Sequence, residues 1–199
     1  MIVEGRQLFL HALDTSFLDS YYKAAQVSFD DLKPVTPGLK HPISLKETSL
    51  FFDRTLQQMQ SNELFAFVAV QKETQTLVGF ISSFLVDWLN QKTEIGFWIS
   101  SPYNGQGYAS EAIFLMLDFL FTHCQLHRVC AKTPIHNARN RHLLEKMRFQ
   151  FEGELSEALL IENSWKNLAL YSLLISNYKN NRTELARHIL NGKYPKIKF

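Results

Sequence analysis

The sequence predicts an α/β fold of the mixed α+β kind: one mostly antiparallel seven-stranded sheet with a parallel pair near its centre and helices on both faces. Two observations predict it. Two apolar, β-leaning runs, residues 64–71 (LFAFVAVQ) and 77–86 (LVGFISSFLV), flank the polar turn KETQT and read as a hairpin. A third run, residues 94–100 (EIGFWIS), leads through a glycine loop and a long apolar helix into another strand, residues 127–133 (HRVCAKT). A strand–helix–strand crossover makes its two strands parallel neighbours.

The elements follow in the order βα–α–βββ–α–β–α–ββ. Residues 6–13 (RQLFLHAL) form the first strand. Asp14 offers an N-cap, and Phe17, Leu18, Tyr21, Tyr22 and Ala25 recur at helical spacing. The run DLKPVTPGLKHP, with three prolines and a glycine, is a loop. SLKE, from Ser44 to Glu47, has the form of a capping box, in which each side chain satisfies a free backbone N–H. A helix to about residue 61 follows, with Leu50, Phe51, Leu56 and Met59 facing inward. The helix after the glycine loop (EAIFLMLDFLFTHC) is apolar nearly all round, which predicts deep burial. A helix over 137–147 and strands over 149–155 and 168–175 complete the sheet. These elements make one domain over residues 1–176. Residues 177–199 read as a basic tail, where Lys179, Arg182, Arg187, Lys193, Lys196 and Lys198 face only Glu184. Residues 183–190 suit a helix, and GKYPKIKF reads as loosely docked or disordered.

Bulk properties narrow the function. A chain of 199 residues with 46% hydrophobic content holds ample apolar surface for one core. A formal net charge of +2 is too weak a basic bias to argue for nucleic acid by itself, and no direct nucleic-acid binding is expected. No window approaches the roughly 18 apolar residues of a membrane-spanning helix, and MIVEGRQLFLHAL lacks a signal-peptide pattern. Cys124 and Cys130 fit no zinc or redox motif, so no metal and a reduced, cytoplasmic setting are expected. Both thiols sit in apolar runs and are expected to be inert.

The stretch SSPYNGQGYASEA, residues 100–112, carries the chemistry. It lacks the lysine of a P-loop. Its Gly105-x-Gly107-x-x-Ser110 run puts serine where a dinucleotide fingerprint needs a third glycine, and no acidic residue marks the end of the next strand. A helix N-terminus still leaves backbone N–H groups unpaired and carries partial positive charge. Glycine lets an anion reach those amides. The ordinary alternative is a tight turn capped by Asn104 or Gly105.

At Asn104, Gly107 and Ala109 the stretch resembles motif A of the GNAT acetyltransferases, Q/R-x-x-G-x-G/A, with Asn104 in place of glutamine or arginine. EIGFWISSPYNGQGYASEA and HNARNRHLLEKMRFQFEGEL resemble the RimJ/RimL group, which acetylates N-terminal amines of ribosomal proteins. ENSWKNLALYSLL resembles that group's last strand, and the similarity spans residues 6–175.

The resemblance implies a GNAT fold with a splayed parallel pair and acetyl-CoA as acetyl donor. Acetyl transfer to an amine needs an oriented thioester, a neutral amine, an oxyanion donor and a path for the leaving thiolate. The splayed edges are placed at residues 97–100 and 129–132, where the pantetheine arm pairs as a pseudo-strand. The implied cofactor contacts are Trp98, Ile99 and Ser100 on the strand, then Asn104, Gly105, Gln106, Gly107, Tyr108, Ala109 and Ser110 in the loop. Asn137, Asn140, His142 and Lys146 supply the rest from the following helix. A backbone N–H of Trp98 or Ile99 is the oxyanion donor. Glu94 is the candidate base, acting through water; its ordinary role would be a strand-end carboxylate paired with Lys92 or solvent.

Asn140 stands where the group often has serine. An amide can hydrogen-bond a thiolate but is no acid, so the thiolate, with a pKa of about 8.5, leaves unaided or takes a proton from Tyr103, His142 or His136. Arg148 replaces the usual glycine before Phe149. The acceptor site is expected between the first helices and the last strands, walled by residues 33–42, with Phe84, Trp88, Trp98, Trp165 and Tyr171 as aromatic candidates. The partners implied are acetyl-CoA and an amine, foremost a ribosomal-protein N-terminus, with no membrane partner and a monomer or homodimer as the assembly. A polyamine, aminoglycoside or amino acid acceptor, a non-catalytic acyl-CoA-binding protein, and a tail docked on rRNA are the competing readings.

Overall fold

The computed structural model describes residues 1–36 and 38–198. Pro37, in the loop expected to wall the acceptor site, and Phe199, at the end of the tail, lie outside the described residues. The chain opens with a hairpin, β1 (Ile2–Glu4) and β2 (Leu8–Ala12), turning at Gly5. A Cβ at Gly5 would strike the Glu111 carboxylate, which accepts from the Gln7 and Leu8 backbone N–H groups at 2.7 and 3.0 Å. The expected first strand, residues 6–13, is therefore shorter and preceded by another.

Asp14 caps a 3₁₀ turn that runs into α1 (Leu18–Val27), followed by the single turn α2 (Phe29–Leu32). The capping box at Ser44 and Glu47 is present, and α3 (Leu45–Gln60) follows it. Its buried positions are Thr48, Phe52 and Thr55, while Leu50 is 47% exposed, contrary to expectation. Phe51 and Met59 pack against the core as expected, and the buried Thr48 and Thr55 hydroxyls satisfy themselves on the preceding turn, at Ser44 O and Phe51 O.

Three antiparallel strands come next: β3 (Phe65–Gln71), β4 (Leu77–Asp87) and β5 (Lys92–Ile99). α4 (Tyr108–Asp118) continues as a π-helical segment, Phe119–His123, and every residue of α4 except Ala109 is buried. β6 (Arg128–Pro134), α5 (Ala138–Lys146), β7 (Gln150–Ile161) and β8 (Ser164–Leu174) follow. β7 and β8 are longer than expected because Glu162 and Asn163, at φ 48° and 60°, turn a tight hairpin of the kind that matches strand twist.

The chain ends in α6 (Ile175–Leu190) and β9 (Lys196–Lys198). The expected boundary at residues 176 and 177 falls inside α6. Tyr178, Leu185, Ala186, Ile189 and Leu190 of this helix are part of the core. The Tyr178 hydroxyl and Arg182 Nε both donate to Asp118 Oδ1, at 2.6 and 2.7 Å, which ties α6 to α4. β9 pairs with β1, and so the tail's end is a sheet strand and not a loose segment.

Among the described residues the sheet has nine strands, not seven, in the order β7-β8-β6-β5-β4-β3-β2-β1-β9. The two additions, β1 and β9, have three residues each, too short for an alternation pattern to declare itself. Two cores lie on opposite faces. One gathers α4 and α6, and the other packs α1 and α3 over β3 and β4. Among the described residues only β5 and β6 are parallel, and their pairing stops after Lys92–Arg128, Thr93–Val129 and Glu94–Cys130. Beyond it β5 stays paired with β4 up to Ile99, and β6 with β8 up to Pro134. The two strands thus diverge and leave facing edges at residues 95–99 and 131–134. The second edge starts two residues later than expected, because Val129 and Cys130 still pair with β5.

Candidate active site

The glycine loop follows β5 directly. Residues Ser101–Tyr103 make a 3₁₀ turn, Asn104 is extended, and Gly105 and Gly107 take φ of 79° and 87°. Side chains are strained in that region, and no atom lies within 4 Å of where a Cβ would stand at either glycine. Gly107, and neither Asn104 nor Gly105, is the N-cap of α4. The helix's first bond runs from Glu111 N–H to Gly107 O at 3.1 Å, so the amides of Tyr108, Ala109 and Ser110 precede the ladder. They look into a cavity of about 320 Å³ that Tyr103, Arg139, His142 and Lys146 also line. Open backbone, free amides and three cationic or titratable side chains from α5 suit a diphosphate.

From this anion site a cleft of about 540 Å³ runs between the diverging strands. Phe97, Trp98, Ile99, Ala131, Lys132 and Thr133 wall it, and Asn137 and Asn140 close one end. Ser100 N–H donates to Val78 O at 2.8 Å, toward β4. Backbone amides alternate along a strand. Trp98 N–H therefore also faces β4, whereas the Ile99 and Phe97 N–H groups face the cleft. Of the two expected oxyanion donors, Ile99 is the one with the right direction.

Asn137 caps α5, its Oδ1 accepting from Asn140 N–H at 3.1 Å. Arg139, unremarked in the sequence, lines the cleft and the anion cavity alike. It donates to Asn104 Oδ1 at 3.1 Å, and Asn104 Nδ2 donates to Asp31 Oδ2 at 3.1 Å. This chain of bonds joins α5, the glycine loop and α2 across the cleft mouth. The available signal was a cation in the first turn of a helix, where the dipole disfavours it unless an anion is near.

Glu94 pairs with Lys132 at 2.7 Å, not with Lys92, which pairs with Asp87. The Glu94–Lys132 pair sits where the two strands part. Burial pushes the Cys124 thiol up to about 12, and Cys130 Sγ accepts from Arg128 at 3.4 Å.

Several expected side chains lie elsewhere. The Ser100 hydroxyl is buried and bonded to Ser28 and the Ala24 carbonyl, holding β5 against α1. Gln106 donates to Pro102 O within its own turn, and Tyr108 OH accepts from Gln71. Tyr103 stacks edge-on to Tyr108 in the anion cavity, away from the strand gap. Among the acceptor candidates only Trp98 lines the cleft. Phe84 packs over Gly96 in the α1–α3 core. Trp88 is 47% exposed and donates to Asn62 O, and Trp165 is 58% exposed on the β7–β8 hairpin. Tyr171 is fully buried on the opposite face, its hydroxyl between Arg141 and Glu145. Their misplacement has one cause: the face a strand residue takes follows from register, which aromatic character does not reveal.

A family model described as "Acetyltransferase (GNAT) domain" matches residues 8–150. The chain belongs to the GNAT family. The putative ribosomal N-acetyltransferase YdaF of Bacillus subtilis (strain 168) is 31% identical over 99 residues, 50% of this chain and 54% of that protein. A spermidine N(1)-acetyltransferase of Vibrio cholerae is 26% identical over 111 residues, 56% of this chain and 64% of its own length. The chain thus spans between half and two thirds of the length of these curated relatives. The crystal structure of RimL, a ribosomal L7/L12 alpha-N-protein acetyltransferase in complex with coenzyme A, superposes with a TM-score of 0.84 at 17% identity, covering 89% of this chain and 99% of that one. That likeness shows the GNAT fold.

Proposed function

We propose that this GNAT protein is an acetyl-CoA-dependent N-acetyltransferase whose acceptor is a protein N-terminal α-amine. The observation that carries the reading is the continuous path from the amides at the head of α4 into the gap between β5 and β6. That path matches a ligand with a diphosphate at one end and an amide-bearing arm at the other. Acetyl-CoA supplies the activated acetyl group. Gly105, Gly107, Tyr108, Ala109 and Ser110 hold its diphosphate through backbone, with Arg139, His142 and Lys146 beside them. The free edges of β5 and β6 pair with its arm. Ile99 N–H supports the oxyanion as the amine attacks.

Glu94 takes the amine's proton through water. Its carboxylate is held against Lys132 Nζ at 2.7 Å, at the point where β5 and β6 part. Asn140 steadies the departing thiolate by a hydrogen bond, and Tyr103 is left as a phosphate-side contact. An α-amine suits the site better than a polyamine. A polyamine needs several carboxylates around its cations; among the described residues Asp31 is the one carboxylate lining the cleft, already engaged by Ser101 and Asn104, and Glu94 beside it is paired with Lys132. The relatives named above for ribosomal proteins and for spermidine frame the same choice.

Two measurements test the reading. Calorimetry with acetyl-CoA should give binding at sub-millimolar ligand, and none would overturn it. Thiol release should appear with peptides bearing free N-termini, vanish with N-acetylated copies, and be weaker with spermidine. Glu94→Gln should lower kcat at least severalfold and move the pH profile; an unmoved profile removes Glu94 as base.

A further inference from the structure

A second cavity opens off the cleft. It has a volume of about 240 Å³ and lies between α1, α3 and the sheet. It shares Gly96, Phe97 and Trp98 with the cleft, so the two meet where β5 turns its amides toward the strand gap. Its walls include Tyr21, Phe29, Leu39, Ile43, Phe51 and Phe80, with Tyr21, Thr36 and Ser82 as its hydroxyl-bearing members and no charged side chain among the described residues. Tyr21 anchors the aromatic wall. Its ring meets Phe51, Phe80 and Trp98 at 5.4 to 5.6 Å between centroids. Burial pushes its hydroxyl up to about 12. The Tyr21 side of the wall is therefore neutral at physiological pH.

Such a chamber rejects cations and small polar groups, which would lose their water without gaining partners. A cavity of roughly 150 Å³ lined by apolar side chains already takes up a benzene ring. This one has room for a large aliphatic or aromatic side chain. We infer that the cavity is the acceptor's side-chain pocket, and that the amine acetylated in the cleft is borne by a residue with a bulky apolar side chain such as Leu, Met or Phe. This inference rests on the acetyl-transfer reading for the amine's position, but the pocket's selectivity is a separate property. Small N-terminal residues such as Ala or Ser leave the chamber empty, and spermidine would have to strip water from its ammonium groups to enter it.

The test is the binding of short peptides that differ only in a first residue of Phe, Leu, Ala or Ser, measured by calorimetry on the CoA-saturated protein, with thiol release from acetyl-CoA measured alongside. Phe and Leu peptides should bind about tenfold or more tightly than Ala and Ser peptides, and kcat/KM should rank them the same way. Ser82→Leu, which narrows the pocket, should erase most of that preference while leaving CoA affinity within about twofold. Leu39→Asp, on the loop wall where the fold is not at stake, should do the same by placing a charge in the chamber. Equal binding of all four peptides, or a preference that survives both variants, overturns the pocket assignment. Selective binding that both variants abolish, with no thiol release from any peptide, upholds the pocket and overturns acetyl transfer instead.

Discussion

Thr133 shows most plainly what single residues do in this cleft. It is 1% exposed, and its hydroxyl has no hydrogen-bond partner. An unpaired buried hydroxyl costs about 1–3 kcal/mol. Valine has nearly the same shape without that oxygen. Thr133→Val should therefore raise unfolding stability by about 1 kcal/mol, read as a higher urea midpoint at unchanged m-value. A lower midpoint would mean that the hydroxyl has a partner. Asn137 and the glycine loop were legible at this scale because their signals are local: a cap residue ahead of a helix, and glycines where only positive φ works. Thr133, Arg139 and Asp31 were not, since each matters through what lies across a gap from it. The same reason defeated Trp88, Trp165 and Tyr171. Aromatic character announces burial or contact but not which face of the sheet will carry it.

At the scale of elements, the chain's two ends are held by charge. Glu4 on β1 faces Lys72 at 2.9 Å and Lys198 at 2.7 Å, and β9 pairs with β1 beside them. Hydrogen bonds from Lys198 and then Lys72 pull the Glu4 carboxyl from 4.5 down to about 2. A carboxyl depressed on folding stabilises the folded state above its unfolded value. That contribution is lost as pH falls from about 4.5 toward 2. The protection of the β9 amides, measured as exchange relative to the intrinsic rate at each pH, should accordingly fall below pH 4.5 in the wild-type protein. Glu4→Gln should exchange faster at pH 7 and lose most of that acid dependence. If the variant keeps the wild-type pH profile, the ion pairs do not hold the strand. The sequence could not foretell this strand. Lys196, Ile197 and Lys198 offer one apolar residue between two cations, and only the β1 edge and Glu4, nearly the whole chain length away, make a strand of them. Elements with their own periodicity, such as α3 behind its capping box or the β3–β4 hairpin, needed no such distant help.

For the molecule as a whole, the gap between β5 and β6 is where the sheet is weakest. Three register pairs join the two strands, and beyond them the β4 side and the β8 side part company. A ligand arm that pairs with both free edges would complete the sheet, while its diphosphate fastened the same arm to α4. Binding to the folded state alone stabilises it by about 2.7 kcal/mol at a hundredfold excess over Kd. In a chain of this size that is a rise in Tm of about 5–10 °C. Adenosine 3′,5′-bisphosphate, which lacks both the diphosphate and the arm, cannot bridge the strands. At the same multiple of its own Kd it should give a comparable Tm rise, because mass action ignores where a ligand binds. The two should differ locally. CoA should slow hydrogen exchange at residues 95–99 and 131–134 together, whereas the bisphosphate should leave both edges exchanging as in the free protein. Equal protection by the two ligands would mean that the cleft closes without being bridged, and the sheet would then be joined through α4 and α5 rather than through the arm.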